Sequence, residues 1–288
     1  MKLSVITDEI SMDIAHALDV MREYGCEGAE LRGIWGKNIS DFTDAEVSDL
    51  KKLLAEKGFP VVCIASPVLK CELIESESGE LGRMHDAKER SRGQQIDLLK
   101  RCIELADFFG TDFIRVFSFW KRGELTAAIE ESIVEALAEI AEVAQKAGKV
   151  LVLEMEHSCY IGNGEETARV LSKVNNSALK AVWDPGNAFF AGENAFPTGY
   201  EFVKDYIVHV HAKDAEQLNN GLKRFVVIGE GQIDYKAQLS ALARDGYEGY
   251  ISLETHYIPF AGTQEQGSRL CLAALRHLVN EVQSASEG

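Results

Sequence analysis

Four segments of the chain end in a side chain that can bind a metal ion. VLVLE ends in Glu154, KAVWD in Asp184, IVHVH in His211 and YISLE in Glu254. Each segment is a short run rich in apolar and β-branched residues, which is typical of a buried β-strand. Side chains two residues apart share one face of a strand, so Glu154 extends the apolar face that carries Val152. A charged group at the end of such a face is costly to bury alone.

Three carboxylates and one imidazole at the ends of neighbouring strands would repel one another unless a cation joined them. Hard oxygen ligands with a single histidine suit Mn²⁺, Mg²⁺ or Co²⁺, and Zn²⁺ also accepts such ligands. Any one of these residues alone would be read as a surface or salt-bridged group. Four at corresponding positions predict a divalent metal site, where a carbonyl could be polarised and its neighbouring carbon deprotonated.

Other polar residues near strand ends are candidates for binding a substrate. Lys213 lies on the same strand face as His211 and could hold a substrate oxygen or phosphate, or be a solvated rim lysine. The residue two positions before His211, His209, is interpreted as a hydrogen-bonded histidine one layer deeper. Further candidates, two residues beyond a predicted ligand or near the ends of early strands, are Glu156, His256, Lys70, Arg115, Glu30 and Arg32. Trp35 and Trp120 could offer an aromatic face to a substrate or cover the core.

Eight candidate β-strands position these side chains. They are separated by segments that lack the strand pattern. The candidate strands are Leu3–Ile6, Gly28–Leu31, Val61–Ala65, Phe113–Phe117, Val150–Glu154, Ala181–Asp184, Ile207–His211 and Tyr250–Glu254. Strand alternating with helix eight times predicts an α/β fold, a single (β/α)8 barrel domain over residues 1–288, with active-site groups at the carboxyl ends of the strands. The alternative, an open doubly wound sheet, usually carries a Gly-rich loop after its first strand, and none is present here.

Helical periodicity accounts for most of the intervening segments. Asp44–Lys57 is the clearest, because Thr43 and Glu46 form a capping-box pattern and Gly58 stands where the helix should end. The other predicted helices are Met12–Tyr24, Asp97–Gly110, Ala127–Ala147, Gln238–Asp245 and Gln266–Val282. We interpret Leu73–Asp86 as a loop that could close over the barrel mouth.

Composition narrows the partners and the compartment. The net charge of −16 counts against nucleic acid as a partner. No apolar run approaches the ~18 residues of a membrane helix, and the start of the chain lacks the features of a signal peptide. Six cysteines without a CxxC pair indicate reduced thiols and a cytoplasmic protein. Apolar residues near Phe189–Phe196 and Tyr257–Phe260 could cover the barrel rim or form a homo-oligomer contact.

The segments LEMEH, VWDPGN, HVHAKD, VIGEGQIDY and LETHY, with VITDEI and GAELRGIWG, carry a family resemblance over nearly the whole chain. In this order they resemble the xylose-isomerase-like TIM-barrel superfamily, the sugar phosphate isomerase/epimerase family. The resemblance implies that Glu154, Asp184, His211 and Glu254 hold a divalent ion, often Mn²⁺. In its ketose 3-epimerase branch, the two metal-bound glutamates exchange protons with the substrate, which implies catalytic roles for Glu154 and Glu254.

The chain departs from that branch around the expected sugar. Asn187 stands where those epimerases carry a substrate-binding histidine, Gln217 where they carry arginine, and Tyr160 where they carry glutamate. We therefore add Asn187 to the predicted substrate contacts.

The resemblance implies an isomerase or epimerase of a carbohydrate, a sugar or sugar-like polyol ketone. The first alternative is a dehydratase of a keto-inositol or dehydroshikimate-type substrate, which would begin with the same proton removal. A metal phosphodiesterase acting on abasic DNA is a second, but it should show more histidines than seven and a basic groove. A sugar-binding protein without catalysis is the third.

Overall fold

Eight parallel strands close into a barrel in the computed structural model, which describes residues 1–74, 88 and 90–286. In chain order they are β1 (Lys2–Ile6), β2 (Gly28–Leu31), β3 (Val61–Val68), β4 (Phe113–Val116), β5 (Val150–Glu154), β6 (Leu179–Trp183), β7 (Ile207–Ala212) and β8 (Tyr250–Leu253). Each strand pairs with the next along the chain, and β8 returns to β1, where Lys2 lies opposite Tyr250. The predicted (β/α)8 barrel is confirmed, and a closed sheet excludes the open alternative.

Helices follow the strands and surround the barrel. They are α1 (Ile14–Glu23), α2 (Asp44–Lys57), α3 (Arg92–Phe109), α4 (Ala127–Lys146), α5 (Gly164–Val174), α6 (Pro185–Phe190), α7 (Tyr200–Val203), α8 (Tyr235–Arg244) and α9 (Gln264–Ser286). The predicted capping box at the start of α2 is present, and Gly58 ends that helix in the left-handed conformation at φ 71°. Short hairpins at Gly33–Asn38 and Asp214–Val226 extend the loops after β2 and β7.

Several predicted boundaries were wrong. Helix α3 begins at Arg92, five residues before the predicted start, because Ser91 and Gln94 form a capping box there. No helix was predicted after the fifth and sixth strands, where the structure has α5 and α6. The sequence signals were present, since Asn163 caps α5 and Asp184 caps α6 ahead of Pro185. The predicted loop Leu73–Asp86 lies outside the described residues beyond Ile74.

Alternating side chains divide the apolar core into two layers. Val152 and Val182 point into the barrel, where they pack with Val62 and Cys63. Leu151 and the other outward-facing strand residues join the large cluster that lies between the strands and the helices. The predicted apolar inner face below Glu154 is therefore confirmed, and the charged side chains sit on top of this inner layer.

All six cysteines are buried and free, which agrees with their interpretation as reduced core thiols. Among the described residues, no helix combines the length and the apolar character needed to cross a membrane.

Candidate metal and active site

The four predicted metal ligands come together at the carboxyl end of the barrel. Glu154 is the last residue of β5, Asp184 and Glu254 directly follow β6 and β8, and His211 lies near the end of β7. One ligand atom from each lies within 4.8 Å of the others, and the four side chains are almost completely buried. Because their strands are neighbours in the barrel, the ligands form one continuous arc of the rim.

The spacing and the chemistry of this group fit a divalent ion. The Nδ1 atom of His211 lies 3.1 Å from Oε1 of Glu154 and 3.4 Å from Oε2 of Glu254. Ligands at about 2.1 Å from one ion lie roughly 3.0–3.4 Å apart in octahedral or tetrahedral geometry. The Oε2 atom of Glu154 and Oδ2 of Asp184 are buried and, among the described residues, accept no well-formed hydrogen bond. Arg115 and Lys213 lie near these oxygens without forming such a bond, and a hard divalent ion also suits them.

His211 is oriented from across the barrel by a carboxylate. Oε1 of Glu30, on β2, lies 3.1 Å from Nε2 of His211, and its Oε2 lies 2.8 Å from Nε2 of His209. An ionised carboxylate only accepts hydrogen bonds, so Nε2 of His211 carries a proton and Nδ1 faces the other ligands. His209 is thus the deeper, hydrogen-bonded histidine that we predicted. Glu30, predicted as a substrate contact near the end of an early strand, instead lies buried inside the barrel below the site.

Lys213 is a buried cation among the ligands. Its Nζ atom lies 2.9 Å from Oδ2 of Asp184 and 2.6 Å from Oε2 of Glu254. It reaches them by passing over Gly186, where a Cβ atom would lie 2.3 Å from Cγ of Lys213. The glycine of the segment VWDPGN is therefore required by the lysine of HVHAKD, and the interpretation of Lys213 as a solvated rim lysine was wrong.

Arg32 contacts Glu254 at the carboxylate oxygen that Lys213 does not. Its Nη1 atom lies 2.7 Å from Oε1 of Glu254, and the same guanidinium pairs with Asp8 at 2.9 Å and Glu9 at 2.5 Å. Oε2 of Glu9 also lies 3.4 Å from the backbone nitrogen of His256. We did not predict Asp8 and Glu9, although both follow β1 closely and lie in the segment VITDEI.

Two more predicted substrate contacts, within or just past the early strands, form ion pairs with carboxylates. Arg115, within β4, places Nη1 3.1 Å from Oε2 of Glu154. Lys70, just past β3, places Nζ 3.2 Å from Glu156 and 4.1 Å from the ring centre of Phe117.

Each of the two tryptophans packs against another side chain. Trp120 is completely buried beneath Lys70, which supports the core-covering interpretation. Trp35 stacks on Phe42, with ring centres 5.5 Å apart.

The remaining predicted contacts flank the ligands on the late strands. The Nδ2 atom of Asn187 donates to the carbonyl of Met155, and its Oδ1 lies 3.0 Å from Nδ1 of His157. His256 places Nε2 3.6 Å from Oε1 of Glu254. Six of the predicted substrate contacts thus surround the ligands, and their contact with a substrate stays a prediction: Lys70, Arg115, Glu156, Asn187, Lys213 and His256. His157 was missed, although it lies only three residues after Glu154.

Burial and neighbouring charges shift the ionisation of the site. Burial and the nearby Glu254 and Glu154 raise the pKa of Asp184 to about 6, against the opposing charge of Lys213. Burial lowers the pKa of His211, but the charges of Glu30 and Glu154 outweigh it and hold that pKa well above its usual value. Burial would raise the pKa of Glu254, yet Lys213, with His211 and His256, keeps it well below the ordinary range. In the absence of a metal, protons and Lys213 therefore balance the carboxylates.

Comparison with known proteins identifies related sequences. Residues 18–278 match the profile of the family described as Xylose isomerase-like TIM barrel. An inosose dehydratase of Clostridium perfringens is 23% identical over 143 residues, 45% of this chain and 48% of that protein. An inosose dehydratase of Geobacillus kaustophilus is 24% identical over 179 residues, 57% of each. The chain spans about half the length of the curated relatives it matches.

Solved structures share the fold over nearly the full chain. The probable 3-DHS dehydratase AsbF of Bacillus anthracis has a TM-score of 0.73 and 17% identity, covering 97% of this chain and 99% of that one. The IOLI protein with a bound zinc atom has a TM-score of 0.74 and 19% identity, covering 98% and 99%. An L-ribulose 3-epimerase has a TM-score of 0.72 and 15% identity, covering 99% and 97%. At these identities the likeness shows the fold.

Proposed function

The chain belongs to the xylose isomerase-like TIM barrel family, and from that premise we propose that it is a divalent-metal-dependent isomerase or epimerase of a polyhydroxylated ketone. The observation that carries the proposal is the buried group of Glu154, Asp184, His211 and Glu254, whose atoms are spaced to share one ion. When bound, such an ion supplies Lewis-acid polarisation of the substrate carbonyl. We propose Mn²⁺ as the bound ion, because carboxylate oxygens with a single histidine suit it. The zinc atom of the IOLI structure supports a divalent ion in this type of barrel.

The positions of the two glutamates support a role in proton transfer. Glu154 and Glu254 end the outer two of four neighbouring strands, so they flank the ligands Asp184 and His211 from opposite sides. One carboxylate can remove a proton from the carbon beside the carbonyl, and the other can return one from the second face. Such positioned acid–base groups contribute roughly 10²- to 10⁴-fold to rate. A carboxylate on each side supports epimerisation or isomerisation.

A dehydratase is the second candidate, and a specific observation favours it. Both curated relatives compared above are inosose dehydratases, and AsbF is named as a 3-DHS dehydratase. Dehydration starts with the same proton removal and then expels a β-hydroxyl, which needs an acid. His157 and His256 lie beside the ligands and could protonate that hydroxyl. Burial lowers the pKa of His157, but the contact with Glu156 outweighs burial, so this pKa is raised above its usual value.

Incubation in D₂O separates these proposals. Protein loaded with Mn²⁺ is given L-ribulose, 2-keto-myo-inositol or 3-dehydroshikimate, and the products are read by mass spectrometry and NMR. An isomer that carries deuterium at the α-carbon supports the epimerase or isomerase. Loss of one water identifies the dehydratase. Unchanged substrates without deuterium, under conditions where Mn²⁺ is shown to be bound, would reject both reactions for this panel. Protein treated with EDTA is the matched control.

A further inference from the structure

A second tier of side chains continues beyond the metal ligands and comes from the same four strands. We name it the aromatic arc: His157 after β5, Phe190 after β6, Phe225 after β7 and His256 after β8. Neighbouring ring centres lie 5.0 Å, 4.4 Å and 5.1 Å apart along this series. The two phenylalanines are nearly parallel, at 24°. Each strand that supplies a ligand therefore also supplies one ring.

The arc is anchored to the site at both ends. His157 contacts Asn187 and Glu156 at 3.0 Å and 3.1 Å, and His256 lies 3.6 Å from Glu254. Between these ends, Lys223 donates to the carbonyl of Phe189 at 2.8 Å, which joins the hairpin that carries Phe225 to α6. Phe190 and Phe225 are only half-buried, so part of each ring stays accessible. The arc therefore forms an apolar wall beside the ligands.

The buried cations around the predicted metal ligands are already paired with carboxylates. Four buried cations face the group, and each lies in an ion pair of 3.2 Å or less: Arg32, Lys70, Arg115 and Lys213. Their partners, among the described residues, are six carboxylates. Glu30, beneath His211, adds a seventh carboxylate, so even with a divalent ion the described charges leave no positive excess. An anionic substrate at the metal ligands would have to compete with buried carboxylates for these four cations, which is unfavourable.

We propose that the substrate is an uncharged polyhydroxy ketone that packs its C–H face against Phe190 and Phe225. This inference rests on the function proposed above and adds the substrate class to it. The C–H face of a polyol is its apolar side, and the face of an aromatic ring is electron-rich, so the two attract. Neutral ketoses and keto-inositols have such a face without a charge, whereas sugar phosphates and dehydroshikimate add an anion that the site does not match.

The test compares binding and turnover in protein loaded with Mn²⁺. Calorimetry measures the Kd of two neutral ketones, L-ribulose and 2-keto-myo-inositol, and of two anions, 3-dehydroshikimate and fructose 6-phosphate. We expect a neutral ketone to bind at least about tenfold more tightly than either anion. Phe190→Ala and Phe225→Ala should each weaken that ketone roughly threefold to tenfold. Phe225→Leu keeps apolar volume without the ring face and guards against an effect of misfolding.

The matched control is Phe108→Ala, an exposed ring near the end of α3 that precedes β4, on the opposite face of the barrel. It should leave the Kd unchanged. Tighter binding of an anion, no binding of either neutral ketone, or ring variants that bind like the unmodified protein would each overturn the inference. Ring-dependent binding without deuterium exchange would reject the proposed reaction and leave the substrate class standing. Deuterium exchange that is unchanged in the ring variants would support the proposed reaction and reject the packing of the substrate against Phe190 and Phe225.

Discussion

Glu30 reaches across the barrel interior to His211, and its Oε1 atom lies 3.1 Å from Nε2 of that histidine. The second oxygen of the same carboxylate lies 2.8 Å from His209. Glu30 thus holds the imidazole of His211 from below, so that Nδ1 of the ring faces Glu154 and Glu254. The orientation of a predicted metal ligand is decided by a residue 181 positions away in the chain.

Replacing Glu30 should therefore weaken metal binding. Glu30→Gln removes the charged acceptor that fixes the His211 ring, and loss of such a partner costs roughly 10- to 100-fold in metal affinity. The Kd for Mn²⁺, from calorimetry or from the electron paramagnetic resonance of free Mn²⁺, measures the effect. Glu201→Gln, at an exposed carboxylate of α7, is the control and should bind Mn²⁺ normally. An unchanged Kd in Glu30→Gln would show that His211 does not depend on this contact.

Metal affinity should rise with pH. The pKa of His211 is raised well above 6.5 and that of Asp184 is raised to about 6, so the metal-free site binds protons at neutral and acidic pH. Metal binding must displace those protons, and each one lowers the affinity about tenfold per pH unit below its pKa. We expect roughly tenfold weaker Mn²⁺ binding per unit between pH 7 and 6, and a steeper loss below 6.

Calorimetry in buffers of different ionisation enthalpy should show at least one proton released per ion bound at pH 7. A Kd for Mn²⁺ that stays constant between pH 5.5 and 7.5 would contradict the shifted ionisation of His211 and Asp184.

EDTA should remove activity, and Mn²⁺ or Co²⁺ should restore it. Full activity in a verified metal-free sample would rule out a metal-dependent reaction.

The two flanking glutamates should each be essential for proton exchange. Glu154→Gln and Glu254→Gln replace a carboxylate by an amide of the same shape that cannot accept the proton, so turnover should fall by more than about 100-fold. Because both are also predicted ligands, exchange is measured at saturating Mn²⁺ with the bound metal determined separately. Circular dichroism and Tm should show an intact fold. Normal turnover by either variant with bound metal would refute its acid–base role.

Gly186→Ala should disturb the site through Lys213. The added Cβ would lie 2.3 Å from Cγ of Lys213 and 2.8 Å from its carbonyl oxygen, so one of the two segments must move. We expect a loss of about 1–3 kcal/mol in the free energy of unfolding, as for other overpacked sites, together with reduced activity. Gly123→Ala is the control, because nothing lies within 4 Å of its Cβ position and its φ is not positive. Equal stability of both variants by urea denaturation would show that Lys213 does not require this glycine.

Local sequence patterns were sufficient to predict the barrel and to group its candidate metal ligands. Strand alternation is a local property with a period of two, so it places Glu154 on the same face as Val152 whatever the rest of the chain does. Parallel strands that alternate with helices must then bring their carboxyl ends to one rim. Glu154, Asp184, His211 and Glu254 could be grouped for this reason, before any tertiary contact was known.

The tertiary structure decided which other residues reach that group. Glu30 and Arg32 act on His211 and Glu254 only because the barrel closes through β1 and β8, which brings the end of β2 within reach of β7 and β8. The apolar wall is formed by Phe190 and Phe225 rather than by Trp120, because loop conformation and not strand periodicity sets where those rings lie. Sequence patterns determine which face a side chain takes along its own strand, whereas partners far apart in the chain are determined by closure of the sheet and the paths of its loops.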